Sequence, residues 1–504
     1  MLVCGRNYER SRVVLRDEGT AGEMTQISGT STRHPRPSLV FAVLVPAVIV
    51  AAVMVPVAAL RPLDGDEGFY ALAAKLVAHG KTPYVDFWFL QAPLLPYVYG
   101  TWERIIGESW YVLRSLSVVL TVALGCVIYW HVLRRWSSRR LALIAVLLFA
   151  TTPLGFQWFP TIKTYALSTL LLFTAYVWAQ SRSAKAWFVA GLFAGLAVDV
   201  RLLFGSVVIV FLVYARRDAW RFLVGLAVGL VPSIWLFVIG PGRFVNDTLR
   251  AQTTRSHASI PSNVFGKTRT VGRVLVEPHF LLLVVLGVTL IVVCVRRRQR
   301  LPLSVAIAAT LGITNLLPTP SYAQYFVTLI PFLAVATIEL VQLLDISARV
   351  REQRFLAIAA LILVVPAAWS FHVVTSADST ELRISDARAV ARAVDRVAHR
   401  DEVVLSFWPG FIYESHVRQF PGLESDFAPF VLSNTHLSPA RAAEYHMLST
   451  AGMKQAINSH AVRVIVFGKG AANQGVRWRQ IMAAAGYRPV ARVRSDVIIF
   501  RLAG

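Results

Sequence analysis

Asp64-Gly65-Asp66-Glu67-Gly68-Phe69-Tyr70 sets three carboxylates just after an apolar run from Ser38 to Leu60. That run is long enough for a membrane-spanning helix, which needs ~20 apolar residues. A helical pattern follows from Ala71 to His79, with Gly80 as its stop signal. Thr82-Pro83-Tyr84-Val85-Asp86-Phe87-Trp88 and Gln91-Ala92-Pro93-Leu94-Leu95-Pro96-Tyr97 carry the segment on to Gly100. A plain connecting loop has no need of carboxylates, aromatics and prolines crowded beside a bilayer. The stretch reads as the lip of an active site, and the rest of the chain as the scaffold that holds it at the membrane surface.

The scaffold is apolar throughout. Of 504 residues 56% are hydrophobic, and mean hydropathy is +0.56, above the ~45–50% apolar content of soluble domains. Further apolar runs lie at about 111–133, 141–159, 165–180, 187–200, 202–215, 222–240, 279–295, 301–317, 325–344 and 355–374. The expected fold is therefore a polytopic α-helical membrane protein with about eleven spans. The formal charge of +23 follows from this architecture rather than from a nucleic-acid partner. With the N-terminus inside, the basic stretches Arg134–Arg140, Ser181–Ala186, Arg216-Arg217-Asp218, Arg296–Arg300 and Asp345–Arg354 all fall on one side, as the positive-inside rule requires. Residues 61–110 and the segments Thr161–Thr164, Gly240–Pro278 and Pro318–Gln324 fall outside. Merging the runs at 187–200 and 202–215 would invert everything downstream and put Arg296–Arg300 outside, so the two are kept apart at Asp199-Val200-Arg201.

Residues 1–37 are polar and Arg-rich and read as a disordered cytoplasmic tail; residues 38–374 form the membrane domain, with 61–110 as its first outer loop. The outer segment Gly240–Pro278 reads as a long polar loop. After about Val374 the pattern changes. Glu381–His399 has helical spacing, and Val403–Phe407, Val462–Phe467 and Val497–Phe500 look like strands, with helical stretches near 439–458 and 474–485. Residues 375–504 are thus expected to form an extracytoplasmic α/β domain. Cys4, Cys126 and Cys294 have no metal or disulfide spacing, and no Walker loop, dinucleotide fingerprint or nucleophile elbow is present.

Each candidate residue has a plain and a chemical reading. Asp64 and Glu67 fit a capping box, whereas Asp66 at the second helical position is free to face substrate, with Tyr70 on the same face. Asp86 is either a turn residue or a second acid. Arg201, at the outer end of a span, either snorkels to headgroups or grips a phosphate with its planar fork. Lys163 lies outside, where the positive-inside rule does not ask for a cation, and is a second phosphate candidate. Arg255 in the long outer segment is a weaker one. Tyr322 and Gln324, in Ser321-Tyr322-Ala323-Gln324-Tyr325-Phe326, belong to an interfacial aromatic belt or contact a sugar or lipid phosphate.

Asp66-Glu67-Gly68-Phe69-Tyr70-Ala71, Gly80-Lys81-Thr82-Pro83-Tyr84-Val85-Asp86-Phe87 and Ala92-Pro93-Leu94-Leu95-Pro96-Tyr97 resemble the first outer loop of GT-C glycosyltransferases. The likeness is to the bacterial branch related to protein O-mannosyltransferases and aminoarabinose transferases. It implies a sugar donor carried on a polyprenyl phosphate and inverting attack at the anomeric carbon; the acceptor, a glycan, lipid or protein, is left open, and since a phosphate leaving group needs no metal and the sequence shows no metal cluster, no cofactor is expected. It assigns the base to an acid of this loop, which Asp66 matches as the first acid and Glu67 as the second. Some relatives carry another acid in a later outer loop, and Thr161-Ile162-Lys163-Thr164 offers none. The alternative class is a membrane transporter or lipid flippase with an outer accessory domain, but the chain shows no internal repeat of the transporter kind.

Overall fold

A run of apolar helices, interrupted where prolines, serines and charges fall, builds most of the molecule. The computed structural model describes residues 39–181, 183–254, 260–345, 353–376, 381–435, 437–468 and 476–503. The N-terminal tail, Arg255-Ser256-His257 and Lys469-Gly470 lie outside the described residues.

Helix α1 (Leu39–Leu60) leads into the lip, which holds α2 (Glu67–Ala78) and α3 (Leu94–Ile106). Helix α4 (Trp110–Trp136) starts where the Ser109 hydroxyl accepts the Tyr111 amide, and it ends at Ser137 in the left-handed region. Ser138 and Ser183 likewise cap α5 (Arg139–Thr151) and α8 (Ala184–Val200), each supplying a side-chain acceptor to an orphan N–H of the first turn. Pro153 breaks the apolar run at 141–159 into α5 and a short α6 (Pro153–Trp158), followed by α7 (Thr164–Ala179). Arg201, extended at φ −145° and ψ 100°, ends α8 before α9 (Gly205–Ala215), α10 (Ala219–Gly229) and α11 (Val231–Ile239).

Among the described residues four helical stretches are long and apolar enough to cross a membrane: Val43–Leu60, Trp110–Trp136, Pro278–Arg296 and Ala323–Leu343. A fifth is gained if Leu202–Gly229 and Val231–Ile239, bent by 57°, count as one span. Thr164–Ala179 and Leu303–Thr314 are apolar but shorter, and Gln353–Thr375 forms a helix of 23 residues. The expected count of about eleven is higher because most of the other apolar runs form helices shorter than these, such as Arg139–Thr151, cut off before Pro153, and Ala184–Val200, ended by Arg201. The segment Gly240–Pro278 is not the loop expected from sequence. It holds Pro241–Val245, a π-helical turn at Asn246–Arg250 and a helix at Ile260–Leu275. Pro241 sits in the first turn of its helix, where its missing N–H costs nothing.

Two glycine pairs, Gly191/Gly195 and Gly225/Gly229, bring α8 and α10 into backbone contact. A Cβ at Gly225 would lie 2.0 Å from the Phe188 carbonyl oxygen, and one at Gly191 2.0 Å from that of Phe222. Small residues four apart are what allow such an approach in lipid, where packing replaces the hydrophobic effect as the driving force. Gly191 meets Phe222 while Gly195 meets Leu226 and Gly229, so the helices run parallel and α9 returns the chain between them.

The C-terminal part carries the helix Ile384–Val397 and a five-stranded sheet. Its strands are β1 (Val403–Ser406), β2 (Arg418–Gln419), β3 (Val464–Phe467), β4 (Tyr487–Arg492) and β5 (Ile498–Leu502), in the order β2-β1-β3-β5-β4. β1 pairs in parallel with β2 and β3, and β5 is antiparallel to β3 and β4. One hydrophobic cluster takes Phe69, Tyr84 and Trp110 from the lip and α4 together with Val390, Val404, Trp408 and Tyr413 from the C-terminal part. Trp408 stacks on Trp110 at 6.0 Å and 8°. Its indole N–H donates to the Gly65 carbonyl at 2.7 Å, and Lys75 donates to the Tyr413 and Ser415 carbonyls at 2.9 Å each. Gly68 is required here, because a Cβ would stand 2.6 Å from the Trp408 ring. Leu39–Gly504 therefore packs as one unit.

If backbone contact holds α8 against α10, Gly225→Ala lowers the thermal midpoint of the detergent-solubilised protein. Gly266→Ala, whose Cβ meets nothing within 4 Å, leaves it unchanged or raises it, since alanine favours a helix over glycine by ~1 kcal/mol. Equal midpoints for the two variants would contradict the packing.

Candidate active site

The start of α2 is fixed by a charge that never reaches solvent. Glu67 is 0% exposed and Arg114, on α4, is 1% exposed. Arg114 Nε donates to Glu67 Oε2 at 2.9 Å and Nη2 to Oε1 at 2.7 Å, a bidentate pair. The remaining guanidinium hydrogens go to the carbonyls of Ala58, Arg61 and Pro62 at 2.8, 2.8 and 3.1 Å. Glu67 Oε1 also accepts the Asp64 amide at 3.1 Å, and Oε2 the Ile162 amide at 3.2 Å. Burial alone would raise the Glu67 carboxyl pKa, but the guanidinium overrides it and holds the group below the usual carboxylate range. Every lone pair that could serve catalysis is thus engaged. Glu67, expected among the catalytic acids, is a strut instead.

The capping box expected of Asp64 and Glu67 is half formed: Glu67 takes the Asp64 amide, but the Asp64 side chain does not take the Glu67 amide in return. The Asp64 carboxylate accepts the Asp66 amide at 3.1 Å, and the helix begins at Glu67 with Asp66 at its N-cap, making no side-chain capping bond. The Asp66 carboxylate points outward, 35% exposed, to Lys163 at 2.9 Å. Lys163 is 2% exposed and also pairs with Asp64 at 2.5 Å. Its ammonium lies 4.8 Å from the centre of the Trp158 ring. Burial would strip its proton, yet Asp66 and Asp64 outweigh burial and raise its pKa above the usual lysine value. Reciprocally, Lys163 lowers that of Asp64 against the effect of burial.

Arg201 belongs to the same cluster. It is 6% exposed, which rules out snorkelling to headgroups. Nη1 donates to the Thr164 hydroxyl at 3.2 Å, and the guanidinium lies 5.3 Å from the Tyr165 ring and 4.8 Å from the Tyr325 ring. Nε and Nη2 are buried and have no hydrogen-bond partner among the described residues. A cation left with two unused donors in a buried setting is costly unless something else accepts from them. Tyr70, buried on α2, lies within the electrostatic reach of Asp66, Lys163, Tyr165 and Arg201; burial and then the Asp66 charge raise its phenol pKa.

Other expected residues fall elsewhere. Asp86 accepts the Thr82 amide at 2.7 Å and faces Lys81 at 3.8 Å, so it closes its own turn and is not brought to Asp66. Tyr322 is exposed and meets Tyr325 edge-on at 5.7 Å, and Gln324 is half-buried; it is the buried Tyr325 of that turn that reaches Arg201. Arg255 lies outside the described residues. Sequence reasoning missed Arg114, whose signal is a lone arginine inside an apolar run, and Asp426. Asp426 lines a cavity of 580 Å³ with Arg61, Asp64, Gly65, Gln157 and Trp408. Burial, and then the nearby Asp66 charge, push its pKa up to about 7.

Residues 90–239 match the family described as Dolichyl-phosphate-mannose-protein mannosyltransferase. ArnT from Cupriavidus metallidurans bound to undecaprenyl phosphate is 14% identical with a TM-score of 0.62, covering 92% of this chain and 97% of its own. The apo state of that protein gives 13% and 0.65 over the same shares. The Archaeoglobus fulgidus oligosaccharyltransferase, in a complex with zinc and sulfate, is 11% identical with a TM-score of 0.52, covering 91% of this chain and 72% of its own. No curated protein matches the sequence. The chain shares the GT-C fold of these membrane enzymes.

The ion pair makes a direct prediction. Arg114→Ala leaves Glu67 buried and uncompensated, at a cost of ~3–5 kcal/mol, and the protein unfolds at a markedly lower temperature. The double variant Arg114→Met/Glu67→Gln recovers part of that loss. A single Arg114→Ala variant as stable as the wild type would remove the strut from this account.

Proposed function

We propose that this chain is a glycosyltransferase of the GT-C type that moves a sugar from a polyprenyl-phosphate donor to a hydroxyl acceptor at the outer membrane face. The observation that carries the reading is the pairing, in one cluster, of an outward-facing carboxylate with a buried arginine whose Nε and Nη2 hydrogens have no acceptor among the described residues. Asp66 takes the proton of the acceptor hydroxyl as that oxygen attacks the anomeric carbon from the face opposite the phosphate. The bond from that carbon to the phosphate oxygen breaks, its electron pair stays on the phosphate, and the sugar inverts. Arg201 and Lys163 receive the phosphate charge, electrostatic stabilisation of the leaving group being the larger part of such catalysis.

Two further features support this reading. The turn Ala323–Leu329 that brings Tyr325 to Arg201 also lends Phe326 and Leu329 to an apolar cavity of 290 Å³ walled by Val274, Phe280 and Leu333, a setting suited to a prenyl chain. ArnT, which shares the fold, was solved with undecaprenyl phosphate bound. The 580 Å³ cavity beside Asp64 and Gly65 gives the acceptor a route from the side of the C-terminal domain. A transporter or flippase sets its polar groups near the bilayer midplane. Here they gather at the ends of α1, α4, α7 and α8 that share the lip, and the basic turn between α4 and α5 lies at the other end of α4.

The test is transfer from a radiolabelled polyprenyl-phosphate sugar in reconstituted membranes, with mass spectrometry of envelope glycans identifying the acceptor. Asp66→Asn is expected to insert and bind donor but to lose ~10²–10⁴ in rate. Arg201→Ala is expected to weaken donor use by about ten- to a hundredfold, the value of a charge-assisted hydrogen bond. Near-normal transfer by Asp66→Asn would place the base elsewhere, with Asp426 the next acid to test. An unchanged donor KM and turnover in Arg201→Ala would remove it from the phosphate site.

A further inference from the structure

Lys163 stands where negative charge begins the reaction. Its ammonium pairs with Asp64 and Asp66, and Trp158 packs against it. Tyr165, two residues along, receives Arg201 at 5.3 Å from its ring. Tyr165 and Tyr70 each interact electrostatically with both Lys163 and Arg201. A phosphate accepting from the free Nε and Nη2 of Arg201 is therefore a near neighbour of the ammonium. Among the described residues, Arg61 from the end of α1, Tyr325 and, from the C-terminal part, Asp426 also face this cluster.

The chemistry moves one unit of negative charge across this gap. A sugar-linked lipid phosphate is a diester with one negative charge, and the released lipid phosphate carries a second. Asp66 starts ionised and ends carrying the acceptor's proton. The charge lost at Asp66 is the charge gained at the phosphate; Lys163 pairs with Asp66 and shares the neighbours Tyr70 and Tyr165 with Arg201. We propose that Lys163 is a positioning residue shared by base and leaving group: its ammonium swings from the Asp66 carboxylate to the lipid phosphate as the charge moves. Before the donor arrives, the ammonium occupies the carboxylate and keeps Asp66 from acting as a free base. A lysine suits this role because it is a point charge on a flexible stem with three rotatable donors, whereas an arginine fork would stay bidentate on the carboxylates.

The inference rests on the donor reading above, and a double-mutant cycle separates the two. The probe is polyprenyl phosphate, the proposed leaving group, titrated into the full-length protein in nanodiscs at fixed salt. Asp66→Asn leaves the ammonium paired with Asp64 alone, so binding should tighten by about fivefold or more, within the usual range of coupling between sites. In the Lys163→Met background the same Asp66→Asn change should gain less than about twofold, because the shared partner is gone. Equal gains in both backgrounds would mean that Asp66 merely repels the phosphate, and Lys163 would not be shared. If the wild type binds no polyprenyl phosphate, the donor reading itself fails. A second arm covers poor folding of Lys163→Met. Lys163→Arg keeps the charge and is expected to retain donor KM while kcat falls by about tenfold or more, the fixed fork being slow to leave the carboxylates. Wild-type kcat in Lys163→Arg would overturn the proposal.

Discussion

The buried bidentate pair of Arg114 with Glu67 is the constraint from which the rest of the site follows. Taking two charges out of water is costly, and it is tolerated only when every donor and lone pair is used. Here they are. The guanidinium gathers the end of α1 and the turn after it through the Ala58, Arg61 and Pro62 carbonyls. The carboxylate gathers the amides of Asp64 and Ile162. Asp66 precedes Glu67 and Lys163 follows Ile162, so one carboxylate sets the positions of both members of the pair formed by the half-buried Asp66 and the buried Lys163. A structural charge in the interior thereby places a chemical charge at the rim.

The C-terminal part acts on the same region from above. Trp408 holds the Gly65 carbonyl, packs where Gly68 has no side chain and lines the cavity beside Asp64. Phe427, next to Asp426, meets Phe69 edge-on at 5.7 Å. These contacts make the sheet domain one wall of the site, with a shared hydrophobic core rather than a detachable cover.

Much of this was legible in the sequence, and what was not has identifiable causes. The break at Arg201 and the strands around Val404, Val466 and Ile499 follow from local pattern. β2 and β4 escaped notice because Arg418–Gln419 is two residues long and Tyr487–Arg492 carries Pro489 and three charged or exposed positions. Asp-x-x-Glu suggested a cap, but the function of Glu67 depends on Arg114, 47 residues away in sequence, which no local reading reaches. Lys163 was legible as a cation out of place; its two carboxylate partners were not. Tyr325 was passed over for Tyr322 because sequence alone does not say which of two neighbouring tyrosines is buried.

The most direct test of the account is a structure of the protein in nanodiscs with polyprenyl phosphate bound. The phosphate is predicted to accept hydrogen bonds from Arg201 Nε and Nη2 and from a Lys163 ammonium that has left Asp66. A phosphate bound away from Arg201, or bound there with Lys163 still paired to both carboxylates, would contradict it.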